Sequence, residues 1–401
     1  MQVVERHIVQ YDYRLDNICW ISKNLYNYVL YLIKEHYIAT GKILDEYELY
    51  GKLASEDQLD YRCLPAQTSQ QVINLVFKAY KSFFKAFKDF GKNPGKYKSC
   101  PRSPNFKKPN GQNVVIFTKQ NCHIEDGFVI FPKMTNLQPL RTNIVDFRQV
   151  RIIPEATCFV IEIVYEREIK RDENLDANLY LSIDLGIDNF AGMVDNNGKS
   201  LIVNGKVLKS INQYYNKKKS FLQSFVEYGS RRIDHLVFRR NNKVEDFLHK
   251  SSRFIVNYCL ENHIKNIIVG YNEGWKQETN MGKINNQKFC NIPFREFIHK
   301  LEYKSELVGI NVVTKNESHT SKCDAFALEK ICHHEKYLGR RVKRGLFRSS
   351  TGKFVNADIQ GALNTMRNVI GDGFMRNLIG KSDVLSPVRV DILTKNIKIC
   401  V

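Results

Sequence analysis

The chain has 401 residues, enough for roughly two or three domains, and carries 61 Lys and Arg against 42 Asp and Glu, a formal net charge of +19. That imbalance points to a polyanionic partner, and 20 Tyr with 24 Phe suit nucleic acid, whose bases stack on aromatic rings. No apolar run approaches a spanning helix, Met1 to Ile8 has no signal-peptide core, and the 10 scattered Cys form no paired framework, so the expectation is a reducing cytoplasm and no membrane partner.

Met1 to about Val9 reads as a short strand. Leu15, Cys19, Leu25, Val29, Leu32 and Ile33 then recur at near-helical spacing. Pro65 precedes a second helix, whose apolar face holds Val72, Leu75, Val76, Tyr80, Phe83, Phe84 and Phe87. Lys78, Lys81, Lys85 and Lys88 give that helix a solvated basic face, which would also suit a phosphate backbone. From Gly91 to Gly111, Pro and Gly exclude a regular element, and Lys92, Lys96, Lys98, Arg102, Lys107 and Lys108 make a basic loop, either linker or nucleic-acid contact. Val114–Phe117 reads as a strand, Asp126-Gly127 as a hairpin turn before Phe128–Phe131, and residues 159–166 as a half-exposed strand. Residues 113–168 therefore suggest a small antiparallel barrel or sheet, with the helical block inserted after its first strand.

Lys170 to Asp176 is a polar boundary. Beyond it, Leu179-Tyr-Leu-Ser-Ile-Asp-Leu-Gly-Ile187 reads as a buried central strand with Asp184 on the face opposite Leu181, Ile183 and Leu185. A lone carboxylate there needs an Arg, backbone amides or a cation, and Gly186 leaves room for a close neighbour. Two further strands follow as a meander. Ser210 and Gln213 have capping-box spacing, so a helix is expected to begin there. That helix and its successor run to about Leu260, breaking near Gly229-Ser230. Lys217, Lys218, Lys219, Arg231 and Arg232 on their outer faces are candidate nucleic-acid contacts. Asn266–Val269 is a short buried strand with Glu273 just past its end, where ligands collect in α/β sheets. Pro293 opens an amphipathic helix, and Ile310–Val313 is the next strand. Asp358 sits at a helix start, where a plain capping or first-turn role is the alternative to a functional one. Gly361 and Ala362 one turn on would let that helix lie against the sheet.

Acids on three core elements, in the order Asp184, Glu273, Asp358, can hold two divalent cations for phosphodiester attack. A strand meander followed by helix, strand and helix fits an RNase H-like nuclease, although fold by itself does not fix function.

Several segments resemble the TnpB (OrfB) proteins of bacterial insertion sequences, which are relatives of type V CRISPR effectors. They are Leu64-Pro-Ala-Gln-Thr-Ser-Gln-Gln71, Ser182-Ile-Asp-Leu-Gly-Ile187, Lys209-Ser-Ile-Asn-Gln-Tyr-Tyr215, Val269-Gly-Tyr-Asn-Glu-Gly274, Glu317-Ser-His-Thr-Ser-Lys-Cys323 and Asn356-Ala-Asp-Ile-Gln-Gly361. The resemblance spans nearly the whole chain and is most specific from residue 182 to 364. It implies a multidomain α+β protein. A wedge β-barrel would occupy residues 1–10 and 112–170, a helical recognition domain residues 11–111, and a RuvC-like nuclease domain residues 176–401. It implies an RNA-guided DNA endonuclease of a mobile element that uses an element-derived guide RNA, cuts double-stranded DNA beside a short flanking motif, and binds Mg²⁺ (two ions) through Asp184, Glu273 and Asp358. A monomer in the bacterial cytoplasm, associated with the nucleoid, is the expected state.

The family commonly carries a four-cysteine zinc ribbon between the last two acids. This chain offers only Cys323, Cys332, His333 and His334 there, three of them contiguous and unlike the spaced pairs zinc takes. The expectation for residues 318–350 is a zinc-free hairpin held by Phe326, Tyr337 and Leu338, with Arg340, Arg341, Lys343, Arg344 and Arg348 gripping DNA. The rival to the nuclease is a nuclease-inactive RNA-guided DNA-binding repressor or transposition accessory protein, and all three acids favour the enzyme. A strand-transferring transposase would more usually order its acids Asp, Asp, Glu.

Overall fold

Residues 1–227, 229–272, 282–378, 380–393 and 397–399 are described by the computed structural model, and the chain divides into two units, Met1–Arg167 and Glu168–Val401. The first unit begins with β1 (Gln2–Val9) and the helices α1 (Tyr13–Thr40), α2 (Glu46–Ser55), α3 (Leu59–Arg62) and α4 (Ala66–Lys92). The strands β2 (Val115–Thr118), β3 (His123–Glu125), β4 (Phe128–Ile130), β5 (Leu140–Arg141), β6 (Gln149–Pro154) and β7 (Phe159–Glu166) follow. Asp126 and Gly127 turn β3 into β4 with φ of 48° and 77°, the left-handed pair a tight hairpin requires.

These strands form two sheets, one in the order β1-β7-β6-β2 and one in the order β3-β4-β5. Among the described residues no pairing joins the two sheets, or β1 to β2. The half-exposed reading of residues 159–166 is corrected: β7 lies between β1 and β6 and is covered on both faces, with Val160 1% and Val164 3% exposed. Apolar residues at both parities mark a strand buried on two sides, which alternation alone does not separate from a surface strand. Phe159, Ile161 and Ile163 share one core with Leu25, Val29 and Ile33 of α1 and Val72, Ile73 and Val76 of α4, so helices and sheet bury their apolar faces together.

The basic, proline-rich segment is a docked strap. Between residues 106 and 113 it lies along α1. The Asn113 amide donates to the Cys19 carbonyl (3.0 Å) and Lys23 Nζ to the Pro109 carbonyl (2.9 Å). Asn27 exchanges two hydrogen bonds with the Lys107 backbone, at 3.0 and 2.8 Å. Lys34 lies over the Phe106 ring and Lys107 over that of Tyr26, each at 4.7 Å. Side chains of the helix thus satisfy backbone groups that have no ladder of their own.

The second unit carries β8 (Asp176–Leu185), β9 (Asn189–Asp195), β10 (Ser200–Asn204), α5 (Lys206–Gln223), α6 (Arg231–Glu261) and β11 (Ile264–Gly270). It continues with α7 (Lys283–Cys290), α8 (Phe294–Glu306), β12 (Asn311–Lys315), β13 (Arg340–Lys343), β14 (Leu346–Arg348) and β15 (Phe354–Asn356). It closes with α9 (Ala357–Ile370), α10 (Met375–Leu378), β16 (Val388–Val390) and β17 (Ile397–Ile399). Seven strands form one mixed sheet, β12-β11-β8-β9-β10-β16-β17. The meander β8-β9-β10 is antiparallel, and β11 and β12 add in parallel beside β8. Leu181, Ile183 and Leu185 face Phe247 and Ile255 of α6 and Phe294, Phe297 and Leu301 of α8. The helix α9 packs against β8, β9 and β11. The capping-box expectation is corrected: α5 begins four residues before Ser210, with Gly205 at its cap and the Asn204 side chain accepting from the Lys206 amide (3.1 Å).

The hairpin sheet β13-β14-β15 keeps part of the expected anchor: Phe326 is buried in one cluster with Phe347 of β14 and Val355 of β15. The Leu338 side chain, by contrast, is 59% exposed. Two carboxylates add polar anchors. Asp324, fully buried, accepts from the Ser349 hydroxyl (2.9 Å) and from the Ser350 amide and hydroxyl (2.7 and 3.0 Å). Glu329 accepts from the Asp324 and Leu338 amides (2.7 and 2.9 Å). Of the zinc candidates, Cys323 Sγ faces the Cys332 carbonyl (3.5 Å), His334 Nε2 lies 2.7 Å from the Lys330 carbonyl and 3.4 Å from Cys332 Sγ, and the His333 ring meets that of His319. Because a buried carboxylate with several donors is costly to remove, Asp324→Ala is expected to lower unfolding stability by about 3 kcal/mol, and Cys332→Ser by under about 1 kcal/mol. Urea midpoints of the two variants check this; equal losses would make the thiol, not Asp324, the anchor.

Candidate active site

Asp184 is set by β8, which pairs with β9 on one side and β11 on the other, so its carboxyl projects from mid-sheet toward α9. The start of α9 is capped by Asn356, whose Oδ1 accepts from the Asp358 amide (2.9 Å) and the Ile359 amide (3.4 Å). Another residue therefore fills the capping role considered for Asp358, and its carboxylate is free for other work. Asp184 and Asp358 come together as the sequence led one to expect. Glu273 lies outside the described residues.

A carboxylate not picked out from sequence stands in the same place. Glu317, two residues past the end of β12, is hydrogen-bonded to Asp184. Its backbone amide donates to Asn272 Oδ1 (2.8 Å), and its Oε1 is buried without a hydrogen-bond partner among the described residues. Close packing at glycines creates the space. A Cβ on Gly270 would overlap the Glu317 carboxylate, and one on Gly361 would lie 2.7 Å from Asp184 Oδ2. A Cβ on Gly192, the residue paired with Asp184 across the sheet, would lie 2.9 Å from Asp358 Cβ.

The electrostatics follow from burial. Desolvation, then the charges of Glu317 and Asp358 and the hydrogen bond with Glu317, push the Asp184 carboxyl well above its ordinary value, against the pull of Arg341. Burial pushes Glu317 up to about 7, against the pull of its hydrogen bond with Asp184. Two buried carboxyls that resist ionising together, one with an orphaned oxygen, have the oxygen donors that suit a hard divalent cation such as Mg²⁺. Among the described residues no group of three or more His, Cys, Asp or Glu is gathered closely enough to hold a metal ion.

A cavity of about 570 Å³ opens beside these acids, and Lys206, Lys209, Arg341, Arg344, Arg389 and Asp358 are among its lining residues. Asp188 bridges two of the cations, Lys209 Nζ at 2.6 Å and Arg344 at 3.1 Å. Burial would raise the Asp188 carboxyl, but these cations outweigh it and hold it below its usual range. The sequence-predicted basic residues separate. Arg341 and Arg344 line the cavity. Arg340, Lys343 and Arg348 are exposed on the hairpin, as are Lys217 and Lys218 on α5 and Arg231 and Arg232 at the start of α6, while Lys219 lies over the Tyr215 ring. Sequence reasoning missed Glu317, Lys206, Lys209 and Arg389. For Glu317 a signal existed: it follows a strand end as Glu273 does, inside a segment already singled out.

Raised carboxyl values fix the direction of a pH effect. Between the ordinary Glu value of 4.5 and about 7, the folded protein keeps a proton that the unfolded chain has released, so this group costs stability as pH rises through that window. In EDTA, the thermal midpoint of Glu317→Gln is therefore expected to gain on the parent from pH 4.5 to 7 and to hold a constant lead above it. A lead that does not grow across the window would show that Glu317 ionises freely and is not packed against Asp184.

Comparison with known proteins finds two family models on the chain. OrfB_IS605, described as "Probable transposase", matches residues 162–276, and the Cas12f1-like TNB domain matches residues 294–365. The TnpB-like protein ORF457 of Acidianus two-tailed virus is 24% identical over 202 residues, 48% of this chain and 42% of that protein. The chain thus matches less than half the length of that relative. Among solved structures, the Cas12f1–sgRNA–target DNA complex aligns over 90% of this chain and 98% of its own at 14% identity, with a TM-score of 0.39. The mini RNA-guided endonuclease CRISPR-Cas_phi3 aligns over 92% of each chain at 10% identity, with a TM-score of 0.43. The two family-model matches and the viral relative relate parts of this chain to TnpB proteins, and together they support a TnpB-related protein.

Proposed function

We propose that the protein is an RNA-guided DNA endonuclease of a mobile element, with its nuclease centre at Asp184, Glu317 and Asp358. The observation that carries this reading is the pair of buried, hydrogen-bonded carboxyls, Asp184 and Glu317, beside Asp358, which itself lines a cationic cavity. A charge arrangement of this kind wastes stability unless a cation and a polyanion complete it. The strand order β12-β11-β8-β9-β10, with β9 antiparallel and β11 parallel to β8, supports an RNase H-like (RuvC) frame, and the OrfB and TNB matches support a transposon-borne, RNA-guided nuclease.

In this reading Asp184, Glu317 and Asp358, with Glu273 from the adjoining segment, are the residues that would hold Mg²⁺, as two ions. The bound metal supplies Lewis acidity for phosphodiester hydrolysis. The chain's own residues do the rest. Lys206, Lys209, Arg341 and Arg344 bind and orient the phosphate in the cavity. Asp188 holds Lys209 and Arg344 at the cavity wall, one on each carboxylate oxygen. The exposed cations of α5, α6 and the hairpin neutralise phosphates farther away. Base pairing with a guide RNA reads most of the target, and the protein reads a short flanking motif.

The test uses the particle as purified after co-expression with its own flanking DNA, given Mg²⁺ and a plasmid library randomised beside a guide-matched target. Motif-dependent cutting is expected, and Asp184→Ala and Glu317→Gln should each lower it by at least about 100-fold while leaving RNA and DNA affinity within about threefold. Motif-dependent binding without cutting would hand the case to the repressor reading, and absence of co-purified RNA would defeat both. Neutralising Lys217, Lys218 and Lys219 together should reduce the log–log salt slope of nucleic-acid binding by about 2 to 3. An unchanged slope would leave them a solvated face.

A further inference from the structure

Asp358 has a partner that the cation reading leaves unexplained. Asn189, the first residue of β9, donates from Nδ2 to Asp358 Oδ2 at 2.5 Å, and its Oδ1 accepts from Arg389 at 2.9 Å. The amide can sit only one way round. A guanidinium has no acceptor and must face the amide oxygen, which turns the NH₂ toward the carboxylate. Arg389 comes from β16, near the far end of the chain, where it lies opposite Ile202 in a parallel pairing. Asn189 is placed by the tight turn from β8, in which a Cβ on Gly186 would lie 2.5 Å from the Asn189 carbonyl oxygen.

We propose that Asn189 and Arg389 are a positioning pair for Asp358: Arg389 fixes the Asn189 amide, and Asn189 occupies Oδ2 so that Oδ1 is presented to the cation beside Asp184. This rests on the reading of Asp184 and Asp358 as cation ligands. Outer partners of this kind set the orientation of a ligating carboxylate, and their loss typically weakens metal affinity 10–100-fold. The alternative role for Arg389 is that of a bare positive charge lining the cavity. The two roles predict opposite signs. A bare cation repels a divalent ion, so removing it tightens metal binding; removing the clamp of a positioning pair loosens it.

The test is Mn²⁺ affinity of the full chain without nucleic acid, read by the free-ion electron paramagnetic resonance signal, for the parent, Asn189→Leu, Arg389→Met, Arg389→Lys and the Leu/Met double variant, each shown folded by its thermal midpoint. The expected result is binding about 10-fold weaker in Asn189→Leu and several-fold weaker in Arg389→Met. In Arg389→Lys, which keeps a donor, affinity should return close to that of the parent, and the double variant should be no weaker than Asn189→Leu alone. Unchanged or tighter binding in Arg389→Met, or losses that multiply in the double variant, would overturn the pair. A parent that binds Mn²⁺ no better than Asp184→Asn would overturn the cation reading itself, and the pair with it.

Discussion

Two carboxyl groups buried side by side dominate this structure. Asp184 comes from the middle of a sheet and Glu317 from just beyond the end of another strand, and the two are hydrogen-bonded to each other. Desolvation raises both above their ordinary ionisation range, and for Asp184 the charges of Glu317 and Asp358 add to it. Folding must supply the energy that holds them together, and the surrounding architecture shows where it comes from. Leu181, Ile183 and Leu185 fix β8 against α6 and α8 on one face, while α9 closes over the other because Gly361 allows its backbone to reach the Asp184 carboxyl. The apolar face of the strand stabilises what its polar face costs.

The second unit is organised around the same point. The hairpin sheet is rooted through the interior of α9. Gln360 and Asn364 donate to the Cys323 carbonyl, each at 2.6 Å, and Asn364 also donates to that of Thr320 at 2.8 Å. The helix that delivers Asp358 thus also carries the base of the element that delivers Arg341 and Arg344. Asp324 and Glu329 then shape the hairpin by collecting backbone and hydroxyl donors, which is the work a metal does in a ribbon of cysteines. Two carboxylates serve structure, and a neighbouring set is the one proposed for chemistry. The difference lies in their partners: Asp324 is surrounded by hydrogen-bond donors, whereas Asp184 faces other acids.

Much of this was legible in order along the chain. The β8 strand, its meander, the break at Ser230, the helix after Pro293 and the first turn of α9 all follow from periodicity and punctuation. The errors have physical causes. Ser210 and Gln213 have capping spacing, yet Asn204 and Gly205 start the helix earlier, because β10 ends there and the chain turns at once. Alternation in residues 159–166 said nothing about the second face of β7, which is decided by what packs on it. The strap along α1 reads as a loop from its prolines, and nothing local shows that Asn27 and Lys23 will bind its backbone.

By itself, the sequence determined the elements, the basic character of the surface and the placing of Asp184 and Asp358 on core elements, because those depend on neighbours along the chain and on summed charge. Only the tertiary structure decided that Glu317 stands with Asp184, that Arg341 and Arg344 reach the same cavity, and that Arg389 meets Asn189 from the other end of the unit. Carboxylates and guanidiniums are common in this chain, and their types do not distinguish a solvated surface group from one pressed against a like charge. That distinction arises from burial and from distances across the sheet, which parallel pairing and close helix packing create between residues far apart in sequence.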